Sequence, residues 1–452
     1  MFVRKRTGYA VSATLGWLVP NRLMKFAFLD QVVASGGNFM AAILLARALG
    51  IYEFGRFALA WMLVEFVASL QFAAIIQPML NIGAKQAEVD RNRYYFAVTA
   101  QQAAACIVFG SAVGLGVALL GWLTSNPALV GVALPLCAAI MTYQLYEFCR
   151  RYLFARDRPV AGLCTDLLRF GVQLGAILAL PFVWPDATAE MGIWIVTIAC
   201  GVAIIQGGRF LGHVRWDAAA FRSVLSRHWR FSKWLLPSAL MFWTTTEVYM
   251  VVSGLMLGAA ATGALKAATT ITGVLNLLLL ALNNFAPVQA SRALHVGGPV
   301  ELRRYIGRLA GLSACLIAAA VIVLNIAPEY IVHLLYGEEF EGLGQLVRLL
   351  CAPAAVYGMG VVLTIWAAAL EQTRLIFWSY AIATLFSVTA AFPLAQYGGL
   401  TGLVLCLFLV ESIRVTLLLV PLVRWSRKRG YGYAQMAPCA ATQQHEERSI
   451  EY

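Results

Sequence analysis

Phe57-Ala58-Leu59-Ala60-Trp61-Met62-Leu63-Val64-Glu65-Phe66-Val67-Ala68-Ser69-Leu70-Gln71-Phe72-Ala73-Ala74-Ile75-Ile76-Gln77-Pro78-Met79-Leu80 is a run of 24 residues with one ionisable side chain, Glu65. At about 1.5 Å of rise per helical residue it is long enough to cross the roughly 30 Å hydrocarbon core of a bilayer. The pattern returns on both sides. Apolar runs broken by charge or turn residues lie near 29–46, 57–80, 94–121, 130–149, 161–183, 191–211, 235–256, 264–288, 309–326, 344–369, 375–395 and 400–421. Lipid offers backbone groups no hydrogen-bond partner, and the alternation of a barrel is absent, so the runs must be helical. Composition agrees: of 452 residues 61% are hydrophobic and 12% charged, with a mean hydropathy of +0.74. A soluble domain carries about 25% charged residues, so a soluble enzyme and a disordered chain are both excluded. The expected fold class is an all-α polytopic membrane protein of about twelve transmembrane helices in two six-helix bundles around a central cleft.

The net charge of +12 fits a nucleic-acid binder or a membrane protein with basic loops, and position separates the two. The N-terminal segment to residue 28, the turns near 81–93, 150–160, 209–234, 289–308 and 370–374, and the tail hold 28 of the 34 cations. The alternate set of turns holds only Arg47 and Arg56, beside Glu53, Asp186, Glu190, Glu329, Glu338, Glu339 and Glu341. Cations gather on the cytoplasmic side. Both termini are therefore expected in the cytoplasm, and the charge is a topology signal with no nucleic acid implied. Arg4, Lys5 and Arg6 precede a short apolar run with no A-x-A site after it, which reads as a retained segment on the membrane surface. The expected organisation is a cytoplasmic segment at 1–28, a first bundle at 29–211, a basic linker at 212–234, a second bundle at 235–423 and a polar tail at 424–452.

Landmarks repeat between the halves. Leu49-Gly50 and Gly55 recur as Leu257-Gly258 and Gly263, offset by 208 residues. Pro78 and Pro287, then Ala105-Cys106-Ile107 and Ala314-Cys315-Leu316, are offset by 209, and Pro135 and Pro353 by 218. The last step places an insertion in the outer loop 327–343. An even number of helices per repeat gives halves of parallel topology about an axis along the membrane normal. Two bundles rocking about such an axis provide alternating access. A passive scaffold or membrane anchor is the competing reading, and it rarely needs two matched bundles.

Ionisable residues inside spans are costly and usually mark a pathway or an internal pair. The candidates are Glu65, Asp166, Arg169, Glu247, Lys266, Arg348, Glu411 and Arg414. Asp166 with Arg169, and Glu411 with Arg414, stand three residues apart, where side chains on one helix face meet. Arg47, Arg56 and Arg348 lie near outer helix ends and can snorkel to headgroups. Glu65, Glu247 and Lys266 show no partner close by on their own helix. Counted from Gly55 and Gly258 at about 1.5 Å per residue, Glu65 and Glu247 both sit roughly 15 Å from the outer end, near the midplane. A carboxylate buried there favours its protonated form, as a proton-coupled step requires, while a neighbouring hydroxyl or amide would satisfy it equally. Asp30, Gln31, Asn38, Gln71, Gln77, Asn276, Asn283 and Asn284 add polar positions whose commoner role is interhelical hydrogen bonding. Gly36-Gly37 permits close packing or a bend.

No arrangement for covalent chemistry or nucleotide hydrolysis is found: H-E-x-x-H, G-x-S-x-G and P-loop patterns are absent. The nine cysteines lack metal-ligand spacing and read as small buried hydrophobes. The expectation is a protein that is not an enzyme, has no cofactor or metal, and is driven by an ion gradient, the membrane potential or product removal.

The turn Leu45-Ala46-Arg47-Ala48-Leu49-Gly50-Ile51-Tyr52-Glu53-Phe54-Gly55-Arg56-Phe57-Ala58 resembles the opening helix hairpin of bacterial polysaccharide transporters. That family shares a superfamily with multidrug and toxin extruders and lipid II flippases. Pro328-Glu329-Tyr330-Ile331-Val332-His333-Leu334-Leu335-Tyr336-Gly337-Glu338-Glu339-Phe340 is similar to the same family's loop before the tenth helix. The resemblance, from about Phe28 to Val423, implies a flippase carrying an undecaprenyl-diphosphate-linked oligosaccharide across the bacterial inner membrane for polysaccharide biosynthesis. It implies a cationic cavity for the diphosphate, with Lys266, Arg47, Arg169 and Arg348 as anion-facing groups. Glu65, Glu247 and Glu411 are then the ion-coupling candidates. Partners implied are the lipid-linked substrate, membrane lipids, a polysaccharide polymerase with its chain-length machinery, and a proton or sodium gradient. Lipid II flippases have fourteen helices, and the tail after Arg429 holds no further span. A multidrug extruder of the same fold is the alternative, and it expects a carboxylate-dominated cavity that accepts cations.

Overall fold

Residues 57–80 are helical throughout, and so is most of the chain. The computed structural model describes the backbone of residues 22–83, 85, 86, 88–211 and 217–447, and the side chains of 26, 29–83, 85, 86, 90–211, 217–275 and 286–425. The segment 1–21, residues 212–216 of the linker, the side chains of Asn276, Asn283 and Asn284, the side chains of the tail from 426 on and residues 448–452 lie outside these residues. In chain order the helices are α1 (22–49), α2 (51–83), α3 (Glu88–Leu123), α4 (Pro127–Ala155), α5 (Pro159–Val183), α6 (Ala189–Gly208) and α7 (Ala218–Ser232). They continue as α8 (Leu235–Met256), α9 (259–297), α10 (299–326), α11 (Pro328–Tyr336), α12 (Gly344–Ala369), α13 (373–398) and α14 (400–447). No strand occurs among the described residues.

Nine continuous stretches among the described residues are long and apolar enough to cross a membrane. Three of them, Leu29–Gly83, Ala286–Ile326 and Thr373–Trp425, break at Gly50, Gly298 and Gly399. Counting the helices on both sides of each break gives the expected twelve, while α7 and α11 are short and amphipathic. Local chemistry sets the ends. Asn126 caps α4 by accepting from the Ala128 and Leu129 amides at 3.1 and 3.4 Å, with Pro127 in the first helical position, where its missing N–H costs nothing.

The chain divides into two compact units, one of residues 1–49 and 60–237, the other of 50–59 and 238–452. In the first, α3 packs on α4, and α6 packs on both α4 and α5. One core of this unit joins Ile75, Met79, Tyr95, Val98, Phe148 and Tyr152. In the second, α12 is central, flanked by α9, α10, α13 and α14, and its core includes Leu302, Val362, Trp366, Leu418 and Leu422.

The segment 50–59 belongs with the second unit for a reason visible in the repeat. Gly50 and Gly258 both adopt positive φ, +73° and +89°, a region open to glycine without steric cost. Each ends one helix and starts the next. One and a half turns later Gly55 and Gly263 lie against each other's helices: a Cβ on Gly55 would overlap the Ala259 carbonyl, and one on Gly263 the Ile51 carbonyl. Ile51 and Ala259 are themselves 208 residues apart, so the contact is reciprocal between the two copies of the repeat. The acidic segment 329–341 finishes this region. Glu339 accepts from the Ile51 amide at 3.0 Å, and Glu329 accepts from the Gly342 and Gly344 amides at 3.3 and 3.0 Å. Both carboxylates thus meet unsatisfied N–H groups at helix starts, where negative charge is favoured.

Candidate functional site

The first unit contains a buried charge cluster built from α1, α4 and α5. Its centre is Arg150. Read from sequence as a loop cation, Arg150 lies inside α4, because that helix runs on to Ala155. Its Nη2 is 2.7 Å from Asp30 Oδ2 on α1, its Nε is 2.8 Å from Asp166 Oδ2 on α5, and its Nη1 is 3.8 Å from Glu147 Oε1. Asp166 also accepts from the Tyr146 hydroxyl at 2.6 Å. Asp30 and Asp166 therefore share one guanidinium at close range, with Glu147 a third and more distant carboxylate, and Asp30 Oδ1 is buried with no hydrogen-bond partner among the described residues.

This corrects the expected pairing of Asp166 with Arg169. Although three residues apart on one helix, the two side chains take different partners. The Arg169 guanidinium lies over the rings of Phe170, Tyr146 and Tyr143, at 4.4, 4.8 and 5.5 Å from their centroids. It is 2% exposed, and no carboxylate of the described residues stands within ion-pair distance of it. Its Nη2 reaches Asn38 Oδ1 on α1 at 3.5 Å, while its Nε is buried with no acceptor. Asn38 is exposed, so the guanidinium lies one side chain below the surface of the unit. Gly37 beside it leaves room for the Phe170 ring, which a Cβ there would overlap.

Glu65 joins the edge of the same cluster. The expectation that it has no partner on its own helix is overturned: Trp61, four residues earlier, donates its Nε1–H to Glu65 Oε1 at 3.0 Å. The Trp61 indole in turn meets Tyr143 edge-on at 5.0 Å. An aromatic path thus links Glu65 to the box around Arg169. Ring donors are easily overlooked when a sequence is searched for opposite charges.

The second unit holds the pair its spacing predicts. Arg414 donates to Glu411 Oε2 from Nη2 at 2.6 Å and from Nε at 2.9 Å. The guanidinium lies near the rings of Tyr380 and Tyr357, at 5.3 and 5.4 Å. Glu247 on α8 and Lys266 on α9 are half-buried and engaged with neighbours, and the Lys266 carbonyl accepts from the Thr269 and Thr270 hydroxyls. Arg47 and Arg348 are exposed. Within the first unit the structure gathers Arg169 and Glu65 and leaves Arg47 exposed, while Glu247, Lys266, Arg348 and Glu411 belong to the second unit. Arg150, Tyr146 and Tyr143, the residues that organise the first cluster, were not singled out from sequence. Only the apolar neighbours of Arg150 on α4 hinted at its burial.

No family model matches the chain, and no curated protein matches it. Solved structures do. An inward-facing multidrug resistance MATE family transporter of the MOP superfamily gives a TM-score of 0.62 at 15% identity, covering 91% of this chain and 95% of that one. The chain has the MATE transporter fold. A MATE structure in the straight conformation gives 0.57 at 15% identity, covering 92% and 96%. A MOP superfamily transporter from Pyrococcus furiosus, whose binding pocket is described as of reverse polarity, suggesting a different function, gives 0.57 at 14%, covering 90% and 95%. The MATE fold accounts for the all-helical architecture and identifies the chain as a multi-pass membrane protein. At such identities the likeness is one of fold, and function has to be argued from side chains.

Proposed function

We propose that the chain is an exporter of the flippase type, moving an undecaprenyl-diphosphate-linked oligosaccharide from the inner to the outer leaflet of a bacterial inner membrane by alternating access. Both termini face the cytoplasm, as the cation distribution indicates. The observation that carries this reading beyond the fold is Arg169, a guanidinium enclosed by rings with no carboxylate at contact distance. A buried charge without a counter-charge costs several kcal/mol, and a diphosphate reaching it would offset that cost with charge-assisted hydrogen bonds. The path through Asn38 supports such access. Lys266, Arg47 and Arg348 serve as further anion-facing groups along the route, and Glu65, Glu247 and Glu411 as the groups through which a proton or sodium gradient acts. A polymerase and its chain-length machinery consume the exported units.

A second reading, an ion-coupled multidrug extruder, is favoured by the solved neighbours and by Asp30 and Asp166 sharing the single Arg150. The two separate in one experiment. Deleting the gene should leave a lipid-linked repeat unit on the cytoplasmic side and abolish the surface polysaccharide. Unchanged polysaccharide together with new sensitivity to cationic dyes would overturn the flippase reading in favour of the extruder.

A further inference from the structure

Helix α7 and the two residues after it present two unlike faces. The inward stripe Ala220, Val224, His228 and Ser232, spaced by four, is buried. It is fastened to the rest of the first unit at both ends and in the middle. Asp217 caps the helix through the Ala220 amide at 3.0 Å and accepts from Arg93 Nε at 2.7 Å. His228 Nε2 lies 2.9 Å from the Tyr94 hydroxyl, and Ser232 donates to the Ala74 carbonyl at 3.3 Å. Burial, with the charge of Arg227 beside it, pushes the His228 imidazole down to about 4, so the inward face is uncharged at neutral pH.

The outward face is amphipathic. Leu225 and Trp229 follow one another on a single ridge, 45% and 62% exposed, and Trp234 beyond the helix end is 76% exposed. Arg222, Arg230 and Lys233 are exposed alongside them. Large apolar side chains flanked by cations would be poorly placed in water, but they suit the boundary of a bilayer, where tryptophan and leucine enter the acyl region and cations meet phosphates. Through Arg93 and Tyr94 the helix lies at the start of α3, where Arg156 of the turn after α4 also reaches Asn92, the end to which sequence assigns the cytoplasmic leaflet.

We infer that the outward face of α7, with Lys233 and Trp234, is a seat for anionic phospholipid, engaging headgroups through Arg222, Arg230 and Lys233 while Leu225 and Trp229 enter the acyl region. The inference rests on the membrane fold and is independent of the transported substrate. Each cation at an anionic surface strengthens binding by about fivefold, so removal of all three should act by about a hundredfold. The test uses the full purified chain in neutral detergent, titrated with phosphatidylglycerol or phosphatidylcholine. Retained lipids are counted by native mass spectrometry, and thermal stability is followed in parallel. Wild type should retain phosphatidylglycerol and gain melting temperature with it, and should respond weakly to phosphatidylcholine. R222Q/R230Q/K233Q should need at least about tenfold more phosphatidylglycerol, and L225S/W229S should lower the response to either lipid. Should a variant fail to fold, wild type in about 0.5 M salt, where headgroup attraction is largely screened, should lose the same preference. Equal responses to the two lipids, an unchanged titration in both variants, or an equal effect of the soluble polyanion heparin would overturn the assignment.

Discussion

The two units bury charge in opposite ways. In the second, Glu411 and Arg414 come from one helix, three residues apart, and satisfy each other where the helix alone would put them. In the first, Asp30, Arg150 and Asp166 come from three helices, and apart from the 3.8 Å approach of Glu147 on α4 itself, the close charge contacts exist when α1, α4 and α5 are assembled. Arg169, which has the same spacing from an acid as Arg414, gives up that acid to a neighbouring helix and is left among aromatic rings. The same local motif therefore has two fates. What differs is whether a competing cation arrives from elsewhere. A pair on one helix can move with that helix at little cost, whereas a network across three helices ties them into one body. The first unit thus holds both a charged centre tied across three helices and, next to it, a guanidinium whose Nε has no acceptor among the described residues.

That contrast can be broken most strongly at its centre. Arg150→Met leaves Asp30 and Asp166 buried without a counter-charge, and should destabilise the protein by about 3–5 kcal/mol, read as a large fall in melting temperature in detergent. Adding Asp30→Asn and Asp166→Asn should restore much of it. A fall no larger than that of Glu411→Gln would mean that the three-helix network is not the stronger of the two. Glu411→Gln itself should cost about 2 kcal/mol, between a fully buried and an exposed pair, because Arg414 keeps its tyrosine rings.

Arg169→Gln sharpens the comparison on function. Since no carboxylate depends on Arg169, the variant should melt within a few degrees of wild type, while transport of a lipid-linked diphosphate oligosaccharide in vesicles falls at least about tenfold, equivalent to about 1.4 kcal/mol. Loss of stability with transport intact would make Arg169 a structural cation. The smallest effect is expected from Glu65→Gln and Glu247→Gln, which should change the pH dependence of transport more than its maximum. Identical rate-versus-pH profiles for wild type and both variants would remove these two carboxylates from ion coupling.

Other features divide along the same line. The helices were legible because an apolar run of sufficient length has one solution in lipid, and the Gly50 and Gly258 turns were legible because their spacing recurs. That Gly55 would lie against Ala259, and Gly263 against Ile51, was not, since a repeat offset does not say which copies touch. The acidic residues of the turns poor in cations could be located along the chain but not their partners: Glu53 pairs with Arg56 at 2.9 Å, and Glu329 and Glu339 are helix caps, a role that needs an amide brought up by the fold. Trp61 was passed over as a partner for Glu65 because an indole carries no charge, although its N–H is a donor.

The sequence by itself determined an all-helical membrane chain, the approximate course of its spans and the presence of a few ionisable groups inside them. These follow from one-dimensional properties, namely run length, spacing and the distribution of charge along the chain. Only the tertiary structure decided which charges meet in the first unit. Ion pairing depends on distances of a few ångströms between helices that are far apart in sequence, and a helix extended by two turns at α4 was enough to turn Arg150 from a surface cation into the centre of the first unit.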